Sequence, residues 1–263
     1  MQKYYDRITI LLHLNKNIER SQLILYNKNK GYKMENNINL YLEMETEEKK
    51  GEAVMQTFAD YILDEEKDME EKMTIMCYLE KKLRNDPEKR IFFDKSVILK
   101  TTLAKMFIEI MNLNVDENLV ITASLLCNCK KGPEPQKIGK VKTYAKEGAE
   151  YLETLGFDKR FCKICEELNR YSNSNPREKE SDILEIIDNF GGLLLDRPER
   201  RGYSPMDALI QIEHANLKDV FNRYLGTFRE FIEKMEDINI LVEESNMKVN
   251  ALRALARKIN MNY

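Results

Sequence analysis

Helices are expected along most of this chain. Six prolines and ten glycines in 263 residues leave few obligatory breaks, and the sequence is rich in Leu, Ile, Lys, Glu and Met, which lose little freedom on entering a helix. Apolar residues recur at helical spacing over long stretches beyond residue 42, the periodicity that buries one face of a helix. With 43% apolar and 33% charged residues, there is material for a sizeable core and a charged surface, which excludes wholesale disorder. The fold class is all-α, with a helical bundle, an N-terminal extension and long C-terminal helices.

The first 42 residues carry short alternations, Ile8, Ile10 and Leu12, then Leu23 and Leu25, that fit strands and helical turns equally, so their structure stays open. From Glu43 to Lys72 twelve acids and four bases surround Val54, Phe58, Tyr61, Ile62 and Met69. That spacing is helical, and the charge reads as a solvated face. Asn85-Asp86-Pro87 ends the pattern, because the residue before proline is pushed out of the helical region. The boundary separates an acidic, helical extension, 1–84, from a helical domain, 85–263.

Helical patterns follow at about 94–112, 118–129, 141–155, 158–171 and 180–195, punctuated by Asn112-Leu113-Asn114, Gly132-Pro133-Glu134-Pro135, Gly156 and Ser172 to Pro176. Ser204-Pro205-Met206-Asp207 supplies a capping hydroxyl, a proline at the first helical position and an acid in the first turn, and predicts a helix to about His214. Two long patterns, 216–236 and 239–260, close the chain. In the last, Ile240, Leu241, Val249, Leu252, Leu255, Ala256 and Ile259 share helical spacing. Such a stripe must be buried, either on the protein's own core or residues 43–82, or on a protein partner, of which a two-fold homodimer is the simplest. Lys248, Arg253, Arg257 and Lys258 stand without an acid between Asn246 and Tyr263, and complement a helix C-terminus.

A formal net charge of −3 argues against general nucleic-acid binding. The runs Ile8 to Leu12 and Leu119 to Leu126 are too short to span a bilayer, and the N-terminus lacks a signal-peptide pattern. A cytoplasmic protein without membrane association is expected. Five cysteines, an odd number, leave free thiols or a metal as the two readings. Gly191-Gly192 lies inside a helical pattern, so no phosphate-cradling loop stands between a strand and a helix, and no cofactor is expected. His13 and His214 have no nucleophile or acid at a telling distance.

Residues 119–213 hold the informative landmarks. Ile183-Leu184-Glu185-Ile186-Ile187-Asp188-Asn189-Phe190-Gly191-Gly192-Leu193 is followed by Asp196-Arg197-Pro198-Glu199-Arg200 and Ser204-Pro205-Met206-Asp207-Ala208-Leu209. Upstream stand Ala123-Ser124-Leu125-Leu126-Cys127-Asn128-Cys129-Lys130-Lys131 and Tyr144-Ala145-Lys146-Glu147-Gly148-Ala149-Glu150-Tyr151-Leu152. In order and spacing this series resembles the HD-GYP branch of the HD phosphohydrolase superfamily over about residues 94–213. The matching family segments are Ala-x-Leu-Leu-His-Asp-x-Gly-Lys, His-x-x-x-Gly-x-x-x-Leu, Asp-x-Phe-Asp-Ala-Leu and Asp-Arg-Pro-Tyr-Arg.

The resemblance implies an HD-domain-like bundle whose chemistry has been lost. Family members hold two or three metal ions on His and Asp, and the ions polarise a phosphodiester and acidify the attacking water. Here the His-Asp pair aligns with Cys127-Asn128, the next histidine with Tyr144, and the adjacent His-His pair with Glu167-Leu168. Asn169 stands for a glutamate, Asp188 keeps its carboxylate, and its companion has become Gly191. An amide, a phenol and an aliphatic chain do not supply the lone pairs a divalent ion needs. The expectation is a catalytically inactive regulatory or signalling module acting through protein interaction. The alternatives are a nucleotide sensor that binds a cyclic dinucleotide without cleaving it, and a divergent phosphohydrolase assembled from Glu166, Glu167 and Asp188.

Lys131, Asp188, Arg197 and Arg200 align with the family's phosphate-facing lysine, a metal-facing aspartate and substrate-side arginines. Two readings follow: the cations still hold a phosphate, or Asp188 pairs with a neighbouring cation and fills the space left by the metals. The second is preferred, because a buried charge needs a partner with or without a ligand. Cys127 and Cys129, with Cys162 and Cys165, allow a third reading, a structural zinc. Ordinary buried thiols on amphipathic helices are the preferred account of them.

Overall fold

The computed structural model of the chain describes residues 58–131, 144–168, 177–198, 200–216, 222–235 and 238–259. The reading of residues 1–42 lies outside them. Among the described residues the structure is all-α, with one isolated bridge between Arg197 and Arg200. The helices are α1 Phe58–Leu63, α2 Met69–Leu83, α3 Lys95–Met111, α4 Glu117–Leu126, α5 Tyr144–Thr154, α6 Lys159–Glu166, α7 Lys179–Leu194, α8 Pro205–Asn216, α9 Leu225–Lys234 and α10 Ile238–Ile259. The chain divides into two compact units, Met1–Ala53 with Ile259–Tyr263, and Val54–Lys258. Helices α1 and α2 both belong to the second.

The acidic stretch is two helices where one pattern was expected. Asp64 turns the chain by accepting from the Glu66 N–H and the Lys67 ammonium, both at 3.0 Å, and Asp68 caps α2 through the Glu71 N–H at 2.8 Å. Helix α2 ends at Leu83, and Asp86 accepts from the N–H groups of Glu88 and Lys89, so the predicted break at Asn85-Asp86-Pro87 is a capped turn.

Helix α4 is the axis of the unit and packs against α1, α2, α3, α6 and α7. Every residue from Val120 to Leu126 is buried, as expected of a helix that is apolar on all sides. Asp116 caps it through the Leu119 N–H. Helix α3 starts at a cap formed by Asp94 and stops at Asn112, whose φ of 49° places it in the left-handed region that asparagine tolerates. Phe107 of α3 meets Phe228 and Phe231 of α9 at 5.1 and 5.2 Å between ring centres, and Phe190 of α7 meets Phe228 at 5.1 Å. These buried rings lock α3, α7 and α9 together.

Helices α5 and α6 form a hairpin around Gly156, whose φ of 92° favours a residue without a Cβ. Three predicted helices are shorter than read. The 118–129 pattern leaves the helix after Leu126, where Cys129 and Lys131 make turn hydrogen bonds to Leu126 and Asn128. The 158–171 pattern ends at Glu166, with Glu167 as its cap. The 216–236 pattern is broken because Asn222 accepts from the Tyr224 N–H while its amide donates to the Asp182 carbonyl and the Glu185 carboxylate. A buried asparagine satisfied by distant partners overrides local helix periodicity.

Candidate functional site

Four elements converge on Asp188. Helix α3 brings Lys100, the turn after α4 brings Asn128 and Lys131, α7 brings Asp188 with Gly191 one turn on, and the turn after α7 brings Arg197. Residues three apart on a helix share a face, so the absent side chain at Gly191 opens space next to Asp188. Lys100 fills it. A Cβ built on Gly191 would come within 2.7 Å of Lys100 Cγ. The Lys100 ammonium then reaches Asp188 Oδ1 at 2.5 Å, and the Asn128 amide donates to the same oxygen at 2.8 Å.

Burial alone would raise the pKa of Asp188. The charges of Lys100 and Lys131, with hydrogen bonds from Lys100 and Asn128, overturn that and hold the carboxyl far below its ordinary range. The charge of Asp188 favours protonated Lys131, but burial and the like charges of Lys100 and Arg197 outweigh it and lower the Lys131 pKa. Lys131 Nζ stands 5.5 Å from the centre of the Tyr144 ring, within cation–π range. Arg197 is exposed, and its Nη2 lies 3.3 Å from where a Cβ on Gly192 would sit. Two cations, Lys100 and Lys131, therefore act on one carboxylate, and Arg197 acts on Lys131. Asn128 is 2% exposed, and its Oδ1 is buried without a hydrogen-bond partner.

Arg200 does not join this group. Its guanidinium donates to the carbonyls of Gly192, Leu193 and Leu195 at the end of α7, and to that of Arg201. Those last carbonyls lack helical partners, so Arg200 is a cap for α7. Glu167 stands elsewhere as well. It is buried at the other end of α7, accepting from the Glu178 N–H at 2.9 Å and the Ser181 hydroxyl at 2.7 Å. Its surroundings are a second polar cluster, in which Arg177 meets Asp182 and Glu185, and Arg160 meets Glu180. Ser181 and Asp188 are about 10 Å apart along the axis. The Glu167 carboxylate thus stands apart from that of Asp188.

A divalent ion does not fit what is present. Among the described residues no group of three or more His, Cys, Asp or Glu side chains converges on a point that would hold a metal, and the ammonium of Lys100 sits on the one carboxylate of the site. Cys127, Cys129, Cys162 and Cys165 are all buried and free. Burial pushes the thiol of Cys129 up to about 12 and that of Cys162 to about 11, and raises those of Cys127 and Cys165 too. Zinc needs thiolates that converge, and among the described residues no three of these cysteines are placed to hold a metal. Tyr144 is 6% exposed and Leu168 2%, so both side chains pack into the protein.

Lys100 is the residue that sequence reasoning missed. It lies between Leu99 and Thr101 in the most apolar stretch of α3 and is 4% exposed. The available signal was a lone lysine on the core face of an amphipathic pattern, where a buried cation requires an acceptor. Comparison of the chain with protein-family models, with curated proteins and with solved structures gives no match.

Proposed function

We propose that the chain is a catalytically silent, HD-GYP-like regulatory module that works through protein contacts. The observation that supports this reading is the Lys100 ammonium seated on Asp188 in the space left by Gly191. An ammonium balances the carboxylate charge, as a metal would, but it offers no open coordination position and generates no hydroxide. A cytoplasmic location belongs to the same proposal, since five free, buried thiols suit a reducing compartment. The test is hydrolysis of cyclic dinucleotides by the full chain with manganese or iron added. No turnover above that of Asp188→Ala is expected; turnover that vanishes in Asp188→Ala would overturn the reading.

A second reading, a sensor for a nucleotide phosphate, is favoured by one observation. Beside the Lys100–Asp188 pair, neither Lys131 nor Arg197 has a side-chain hydrogen bond or ion pair among the described residues. Two cations next to a neutralised carboxylate leave net positive charge for an oxyanion. A cyclic dinucleotide would then raise the melting temperature of the wild type and not of Lys131→Ala. The absence of any shift at high ligand concentration removes this reading and leaves the first.

A further inference from the structure

Helix α10 carries two apolar stripes on opposite sides. One turns inward: Ile238, Ser245, Val249 and Leu252 are all buried, at 5% exposure or less. The other faces out. Ile240 is 47% and Met247 66% exposed, two of the five exposed large apolar side chains among the described residues, and Ala251 and Ala254 are exposed beside them. At about 100° per residue, Ile240, Ala251 and Ala254 lie within about 40° of Met247 around the helix axis. Ile240, read from the sequence as part of one stripe with Val249 and Leu252, thus belongs to the opposite face. The side chains of Leu255, Ala256 and Ile259 lie outside the described residues.

Charge says what covers the outer stripe. Glu244 and Lys248 flank it on one side, and Glu243 and Arg253 on the other; none of the four has an ion-pair partner among the described residues. The acids precede Met247 and the bases follow it. When two copies of such a helix pair antiparallel about Met247, like flanks meet and the order of charge is reversed. Glu244 then comes within about 3 Å, along the axis, of the level of the second copy's Lys248, and Glu243 equally close to the level of its Arg253. Each contact occurs twice, giving four pairs of opposite sign, while Ile240 meets Ala254 and Met247 meets its own counterpart. A parallel pairing instead sets Glu243 against Glu244 at one height, where like charges repel.

We infer that the outer face of α10 is the interface of an antiparallel, two-fold homodimer centred on Met247. The inference stands apart from the reading of the Asp188 site, whose failure would leave it untouched. A single helix face is smaller than the roughly 800 Å² per partner of a standard interface, so the dimer is reversible and concentration-dependent.

The test uses the full chain. Light scattering across a dilution series is expected to record a monomer–dimer equilibrium, weakened about tenfold or more by Met247→Asp with helicity unchanged. Glu244→Lys should weaken it too, and Glu244→Lys combined with Lys248→Glu should restore it, because the reciprocal pairs are rebuilt with reversed sign. All five native cysteines are buried, so a new surface thiol reports alone. Met247→Cys should form a disulfide-linked dimer under mild oxidation, and Ile240→Cys should not. A wild type that stays monomeric at every concentration overturns the inference, whether another protein or another part of this chain covers the face. Equal cross-linking of both cysteine variants would mean a parallel pair and would overturn it as well.

Discussion

Lys100 and Asp188 hold each other in place at the junction of α3 and α7. Breaking such a pair strands a buried charge, so Asp188→Ala is expected to cost about 3–5 kcal/mol in urea unfolding, while Lys100→Met with Asp188→Leu recovers most of it. Gly191→Ala should destabilise by about 1–3 kcal/mol, since its Cβ would meet Lys100 Cγ at 2.7 Å. That cost should shrink in a Lys100→Ala background, which a double-mutant cycle reads directly. The pH dependence has a definite sign. Because the folded pKa of Asp188 lies below its ordinary 3.8, its contribution is complete above that value and is lost as pH falls toward the folded pKa. Lys72 gives a slope of the same sign in a higher pH window. Its ammonium is buried against Asn118 and Thr122, neutral acceptors, and burial lowers its pKa to about 8. Between pH 8 and the ordinary 10.5 the unfolded chain binds more protons, so stability rises with pH, and thermal melts of Lys72→Met should lose that rise.

Among the elements, α8 starts where its sequence says it should. The Ser204 hydroxyl accepts from the Asp207 N–H at 3.2 Å and donates to the Asp207 carboxylate at 2.7 Å, so Ser204→Ala is expected to cost about 1 kcal/mol by denaturant titration. The turn before it is tighter than its residues suggested: a Cβ on Gly202 would fall 2.1 Å from the Leu194 carbonyl oxygen, so even alanine there forces the turn apart. The helix start at Ser204 was legible because a cap is a local device, and the patterns expected from 94, 118 and 158 begin within two residues of the caps Asp94, Asp116 and Asp158. The breaks at Asp64 and Asn222 were not. Asn222 is fixed by residues 37 and 40 positions away, and no local window contains such partners. The candidate site was legible to the same extent. Asn128 and Lys131 stand beside Asp188, with Arg197 acting on Lys131, whereas Arg200 and Glu167 are drawn off to opposite ends of α7 by its unpaired terminal groups. Lys100 stayed hidden because its acceptor lies 88 residues away.

For the molecule as a whole, the helices around Asp188 form a packed unit built on α4, and the positive charge at its centre comes from the chain itself. No helix among the described residues is long and apolar enough to cross a membrane, and the exposed stripe of α10 is the face proposed for a second copy. On the proposed reading, Lys100 stands where an HD-GYP-type site would hold its ions. Metal analysis of the full chain, purified from cells grown with added iron and manganese, tests it most directly, with Asp188→Ala purified in parallel. Only trace metal is expected, at the same level in both proteins. Metal at about one ion or more per chain in the wild type, lost in Asp188→Ala, would contradict it.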